Sequence, residues 1–134
     1  MTLLNLDILE DLCGCGSGKA YKSCCYPYHS GEQYAPTAEA LMRSRFVAYQ
    51  QKLNQYLRQT WDDETCPDDL SVEGVEWTRL TISGRKKGRK KDQEGWVTFS
   101  AFYLADGKEG CMLEKSYFIR DTQGHWRYVQ GEIR

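Results

Sequence analysis

Four cysteines fall within thirteen residues, Cys13, Cys15, Cys24 and Cys25, and they limit what the amino-terminal segment can become more than any other feature does. Their order is C-x-C, eight residues, then C-C. Thiolates clustered this tightly form the ligand set of a small structural metal site. Adjacent α-carbons lie about 3.8 Å apart, short of the roughly 4.4 to 6.8 Å of a relaxed disulfide, so Cys24 and Cys25 do not simply close on each other. Cross-pairing between the two halves, or free thiols, is the competing reading.

Context weighs toward metal. Residues 1–12 are leucine-rich but hold no Lys or Arg and include Asp7, Glu10 and Asp11, unlike a secretory signal. No run approaches the roughly 18 apolar residues of a membrane span. The expected location is the cytoplasm, where thiols stay reduced. A length of 134 residues with 40% apolar content suits one folded core and a small appendage. The net charge of -1 gives no whole-protein attraction to nucleic acid or anionic membrane. Cys66 and Cys111 have no spacing that ties them to the cluster and read as ordinary free thiols.

Three zones follow: an arm over 1–12, a cysteine knuckle over 13–35, and an α+β body over 36–134. In the arm Leu4, Ile8, Leu9 and Leu12 recur near helical spacing. In the body Pro36, Thr37 as N-cap and Glu39 in the first turn predict a helix start. Met42, Phe46, Tyr49, Leu53 and Tyr56 give that helix one apolar stripe, with Asn54 restarting a short helix that ends near Trp61. An acidic loop, residues 62–69, comes next. Val, Thr, Phe, Tyr, Trp and Ile enrichment predicts antiparallel strands near 72–83, 95–105, 110–121 and 124–133, divided by turns at 84–88, 106–107 and 123–124. Helices followed by a meander of strands predict an α+β fold with the helices covering one face of a curved sheet.

Inside the knuckle, Gly14, Gly16 and Gly18 allow the positive-φ turns that wrap a backbone round an ion, and Ser17 can cap a helical turn carrying Cys24 and Cys25. Four thiolates around a divalent ion leave a charge of about -2, which Lys19 and Lys22 offset. A knuckle so small lacks a core, whereas structural zinc contributes on the order of 10 to 16 kcal/mol in comparable peptides. Iron in a four-thiolate tetrahedron is the alternative metal. Four thiols closing a tetrahedron leave no position for substrate, so the site is structural, not catalytic.

The run C-G-C-G-S-G-K-A-Y-K-S-C-C, residues 13–25, resembles the SEC-C motif, the zinc knuckle named from the carboxyl-terminal tail of the SecA translocase. The resemblance implies Cys13, Cys15, Cys24 and Cys25 as ligands. It departs at Gly14, where the family commonly has Pro. The stretches C-C-Y-P-Y-H-S-G-E (24–32), A-E-A-L-M-R-S-R-F-V-A-Y (38–49) and E-K-S-Y-F (114–118) resemble the bacterial YchJ family. That resemblance implies a nuclear transport factor 2-like, cystatin-like body, a helix wrapped by a curved antiparallel sheet that often forms a cone with a cavity. Many relatives carry a second such knuckle at the carboxyl end, and none is present up to Arg134.

Other residues carry weaker signals. Met112, Glu114, Ser116 and Phe118 share one strand face by period two. If that face lines the concave side, Glu114 and Ser116 need a cation, which Arg43 or Arg45 could supply, either as a structural ion pair or as a site for a small polar ligand. Six of the eighteen basic residues crowd into 85–91, an expected hairpin tip. It could grip phosphates of RNA, but it holds no aromatic residue for base stacking, and a solvated loop that blocks edge-to-edge pairing is the simpler role. His29 reads as a turn residue and not a fifth ligand, His125 as exposed in a hairpin, and Trp61, Trp77, Trp96 and Trp126 as packing. The leading expectation is a non-enzymatic adaptor that presents Lys19, Tyr21 and Lys22 to a protein partner. Resemblance to the SecA knuckle makes SecB or the ribosome that partner. The alternative is a small-molecule binder or enzyme that uses the cavity. Oligomeric state stays open.

Overall fold

Thr37 starts the main helix as expected: its Oγ1 accepts a hydrogen bond from the Ala40 amide at 3.0 Å, and Glu39 follows in the first turn. The computed structural model describes residues 11–134, so the arm expected over 1–12 lies, apart from Asp11 and Leu12, outside the described residues. A 3-10 turn, Tyr21–Ser23, and a short helix α1, Tyr26–His29, close the cysteine segment. Helix α2 runs Ala38–Gln51 and stops where Lys52 takes a left-handed conformation (φ 60). Helix α3 is Asn54–Gln59. Strands β1 Glu76–Lys87, β2 Glu94–Ala105, β3 Lys108–Arg120 and β4 Trp126–Ile133 follow.

The strands pair antiparallel in chain order, β1-β2-β3-β4. Helices on a meandering sheet give the expected α+β class. One sheet face is buried under α2: Val97 lies opposite Ser116, Phe99 opposite Glu114, and Ala101 opposite Met112. Leu41, Phe46 and Val47 of α2 and Phe118 of β3 complete this core. The opposite face stays partly wet, as one side of an antiparallel sheet can, and carries a Trp96–Tyr117 ring contact at 5.0 Å. Bulges in β1 near Trp77–Arg79 and Ile82–Gly84, and a register shift against β4 at Tyr117–Phe118, bend the strands. After α3 the backbone runs beside β4, with the Asp62 amide on the Tyr128 carbonyl and the Tyr128 amide on that of Thr60, each at 2.8 Å.

The first strand lies about four residues later than the pattern suggested. Gly84 is a bulge position and Arg85, Lys86 and Lys87 pair with Val97, Trp96 and Gly95. Only the later part of the basic run forms the connection. β1 is an edge strand, where lysines are tolerated because they discourage pairing with another chain. Arg85 binds Glu39, Lys87 lies 3.8 Å from Glu94, Arg89 lies 3.1 Å from Asp92, and Lys86 sits 5.0 Å from the Trp96 ring centre. Most of these charges are therefore answered within the fold.

The hairpin beyond Lys87 relies on glycine. A Cβ on Gly95 would strike the backbone of Gly88, and Gly88 itself (φ 78) hydrogen bonds to Glu94 and to Ala38, which starts α2. Gly95→Ala is expected to lower stability by about 2 to 3 kcal/mol, since neither backbone can yield. Urea unfolding monitored by circular dichroism checks this; an unchanged midpoint would show that the contact is slack. No helix among the described residues is long and apolar enough to cross a membrane.

Candidate metal centre

The chain reverses twice to gather the four cysteines. Leu12 bridges Ala20, and the Cys13 amide bonds the Lys19 carbonyl at 2.8 Å, closing a loop that holds Gly16 (φ 81) and Gly18 (φ 85) in left-handed conformations. The 3-10 turn then places Cys24, whose amide bonds the Tyr21 carbonyl at 3.0 Å, and Cys25 caps α1. All four Sγ atoms lie within 4.8 Å of one another, with Cys15 and Cys24 at 3.6 Å. A tetrahedron with metal–sulfur bonds of about 2.3 Å has sulfur pairs about 3.8 Å apart, so little contraction would close this cage on an ion. Cys13, Cys15 and Cys25 are buried and Cys24 half-buried. The four residues could hold a metal ion.

The thiols also compete for protons. Cys15 is driven well below its ordinary value because Cys13, and then Cys25, donate to its sulfur. Cys13 is pushed up to about 12, chiefly by that same bond to Cys15. Cys25 rises further, through its bonds to Cys13 and Cys15 and through burial. Several adjacent thiolates need a cation in place of the shared protons, and metal binding at such a site releases protons. Ser17 does not cap a helix. Its Oγ accepts from the Lys19 amide at 3.1 Å and lies 3.1 Å from the Cys24 sulfur.

Three contacts fasten the knuckle to α2. Arg43 donates from Nη1 to the Cys15 carbonyl at 2.7 Å while its Nε meets Glu39 at 3.0 Å. Gln50 donates to the Trp77 carbonyl at 3.1 Å and lies so close to Gly14 that a Cβ there would meet its Oε1. Gly14 thus has no positive φ, and a larger residue there would have to displace the end of the Gln50 side chain. His29 is the third contact. Its Nε2 is 2.8 Å from the Ser44 carbonyl and its Nδ1 is 2.7 Å from the Tyr21 hydroxyl, whose oxygen also lies 3.2 Å from the Gln51 side chain. Burial holds the His29 pKa below its ordinary value, opposed by the bond to Ser44. A neutral ring that donates from Nε2 to the carbonyl and accepts at Nδ1 satisfies both neighbours.

The other residues singled out in the sequence divide. Lys19 and Lys22 are exposed, whereas Tyr21 turns its hydroxyl inward to His29 and is half-buried. Arg43 belongs to the knuckle and stands apart from the body's cavity. Arg45, Glu114 and Ser116 are together at that cavity, all buried. Arg45 and Glu114 form no ion pair within 4 Å. Arg45 donates from Nη1 to the Leu57 carbonyl at 2.9 Å and Thr60 Oγ1 at 2.7 Å, and its guanidinium lies 4.9 Å from the Trp61 ring centre and 4.6 Å from that of Tyr128. Burial draws its pKa down. The hydroxyls of Ser116 and Tyr128 donate to Glu114 Oε2 at 2.5 and 3.2 Å. Sequence reading missed His29 and Tyr128. Only the Tyr-x-x-x-x-x-x-x-His spacing across the knuckle hinted at the first.

Comparison with known proteins places these features. The family model described as YchJ, middle NTF2-like domain, matches residues 37–131. The UPF0225 protein of Corynebacterium glutamicum is 45% identical over 124 residues, covering 90% of this chain and 96% of that protein. The UPF0225 protein YchJ of Shigella dysenteriae is 36% identical over 129 residues, covering 92% and 84%. A solution structure of a SEC-C motif containing protein from Rhodopseudomonas palustris superposes with a TM-score of 0.79 at 34% identity, covering 90% of this chain and 96% of that one. A crystal structure of a sec-c motif containing protein from Psychrobacter arcticus, at 21% identity, TM-score 0.70 and 92% and 82% coverage, shares the fold. The body is NTF2-like, preceded by the cysteine cluster.

Proposed function

The chain belongs to the YchJ family, and from that premise we propose that it is a non-enzymatic adaptor whose knuckle is stapled by zinc. Cys13, Cys15, Cys24 and Cys25 would be the ligands. The observation that carries this reading is the four-sulfur cage fastened inward to α2 through Arg43 and His29, with Lys19 and Lys22 left facing solvent. A closed four-thiolate ion supplies shape and no reactive coordination site. Zinc is favoured over iron because a structural role asks for no redox change, and zinc is the metal that the SEC-C resemblance implies.

The exposed lysines make an acidic surface the natural counterpart. SecB and the ribosome are the partners that the SEC-C resemblance implies. In a binding assay with the zinc-loaded full chain and purified SecB or ribosomes, Lys19→Glu with Lys22→Glu is expected to weaken capture about tenfold, from the loss and reversal of two interfacial charges. Equal capture by both proteins, or capture of neither partner by the wild type, overturns the reading. Elemental analysis is expected to find about one zinc per chain.

A further inference from the structure

Beneath α2 the body encloses a cavity of about 220 Å³ that the adaptor reading leaves unused. Its walls are Met42, Phe46, Trp77, Phe99, Ala101 and Met112, with Tyr49 and Tyr128 beside them. Tyr49, Trp77 and Met112 are only half-buried and mark its open end. Into this apolar space β3 sends Glu114, 9% exposed, a costly place for a carboxylate. The fold makes room for it: a Cβ on Gly131 of β4 would collide with the Glu114 carboxyl group. Both hydroxyl donors, from Ser116 and Tyr128, go to Oε2, and Oε1 receives none among the described residues.

We propose that this cavity binds a small neutral molecule with one ring and one hydroxyl or N–H group, its ring against Phe46, Trp77 and Phe99 and its donor on Glu114 Oε1. Size sets the first limit. An apolar cavity of roughly 150 Å³ takes up benzene in another protein, so the space here suits a single ring with one polar substituent. Charge sets the second. Arg45, 2% exposed, already sets one buried positive charge on this cavity against the Glu114 carboxylate, so an ammonium ligand would leave the site with a positive charge in excess. Arg45 itself is engaged by Leu57, Thr60 and the rings of Trp61 and Tyr128, so Glu114 is the group left to receive a donor.

Phenol and toluene, alike in size and differing in the donor, are the probes. The full chain labelled with ¹³C at its methionine methyls reports directly, since Met42 and Met112 line the cavity. Phenol is expected to shift both signals and to bind about tenfold more tightly than toluene, the margin of a charge-assisted hydrogen bond. Glu114→Gln is expected to remove most of that margin, and Ala101→Leu, which fills the floor, to abolish binding of both. Should either variant fail to fold, the two probes on the wild-type protein still decide. Equal affinity for phenol and toluene overturns the role of Glu114, and absence of a shift with phenol at millimolar concentration overturns the site. Neither outcome depends on whether the knuckle docks a partner.

Discussion

On the proposed metal staple, chelator treatment, or removal of one of the four sulfurs through Cys25→Ser, is expected to detach the knuckle from α2 and lower the melting temperature of the full chain by about 10 °C. The expected effect is large because three of the four cysteines are part of the core cluster that includes Leu41 and Phe46. Without a cation, Cys13 and Cys25 retain protons that Cys15 attracts, and the cage has only weak sulfur bonds to hold it. The gross energy of such a site, on the order of 10 kcal/mol, exceeds the few contacts from Arg43, Gln50 and His29 that would remain. Part of it is spent ordering the segment, so the net loss expected is about 3 kcal/mol. The body should stay folded, with its far-ultraviolet spectrum little changed. Calorimetry with and without chelator decides: identical transitions would mean that the cage does not hold the knuckle.

Arg45→Ala should cost about 3 to 5 kcal/mol in the body. The change removes two charged hydrogen bonds to Leu57 and Thr60, leaves the Leu57 carbonyl only a long 3.4 Å contact from the Thr60 hydroxyl, and opens a gap between the Trp61 and Tyr128 rings. Arg45→Lys keeps the charge but loses the planar group that fits between two rings, so it should recover less than half of the loss. Equilibrium unfolding of the three proteins in urea measures both values. A lysine variant as stable as the wild type would show that charge, and not the flat guanidinium, holds α2 to α3 and β4.

Much of this was legible because it is local. The cysteine spacing brings four sulfurs into reach of one ion, Thr37 caps its own helix three residues on, and the β-branched and aromatic runs become strands. Period two placed Glu114, Ser116 and Phe118 on the buried face. The misplaced start of β1 has a physical cause: Arg85, Lys86 and Lys87 look like a loop by composition, but an edge strand accepts them, and Glu39, Trp96 and Glu94 answer their charges from elsewhere. His29 was read as a turn residue because its partners, Tyr21 and Ser44, are eight and fifteen positions away and on different elements. Tyr21 looked available for a partner until its hydroxyl met that histidine. Arg43 and Arg45 differ by two positions, about 200° around a helix, and so face the knuckle and the cavity respectively.

The order of the strands has a consequence for how the protein comes to be. Every sheet neighbour is also the next strand in the chain, so the body can assemble from local hairpins at little loop-closure cost. Seating the knuckle is less local: its anchors Arg43, Ser44 and Gln50 all lie on α2, so it needs that helix to have formed. Residues 13–25 precede α2 in the chain, yet their seat is made by that helix. Docking of the knuckle is therefore a later event than closure of the body, and a chain whose four-cysteine cage stays open would carry a folded body with a loose knuckle, a form that proteases can distinguish from the finished protein.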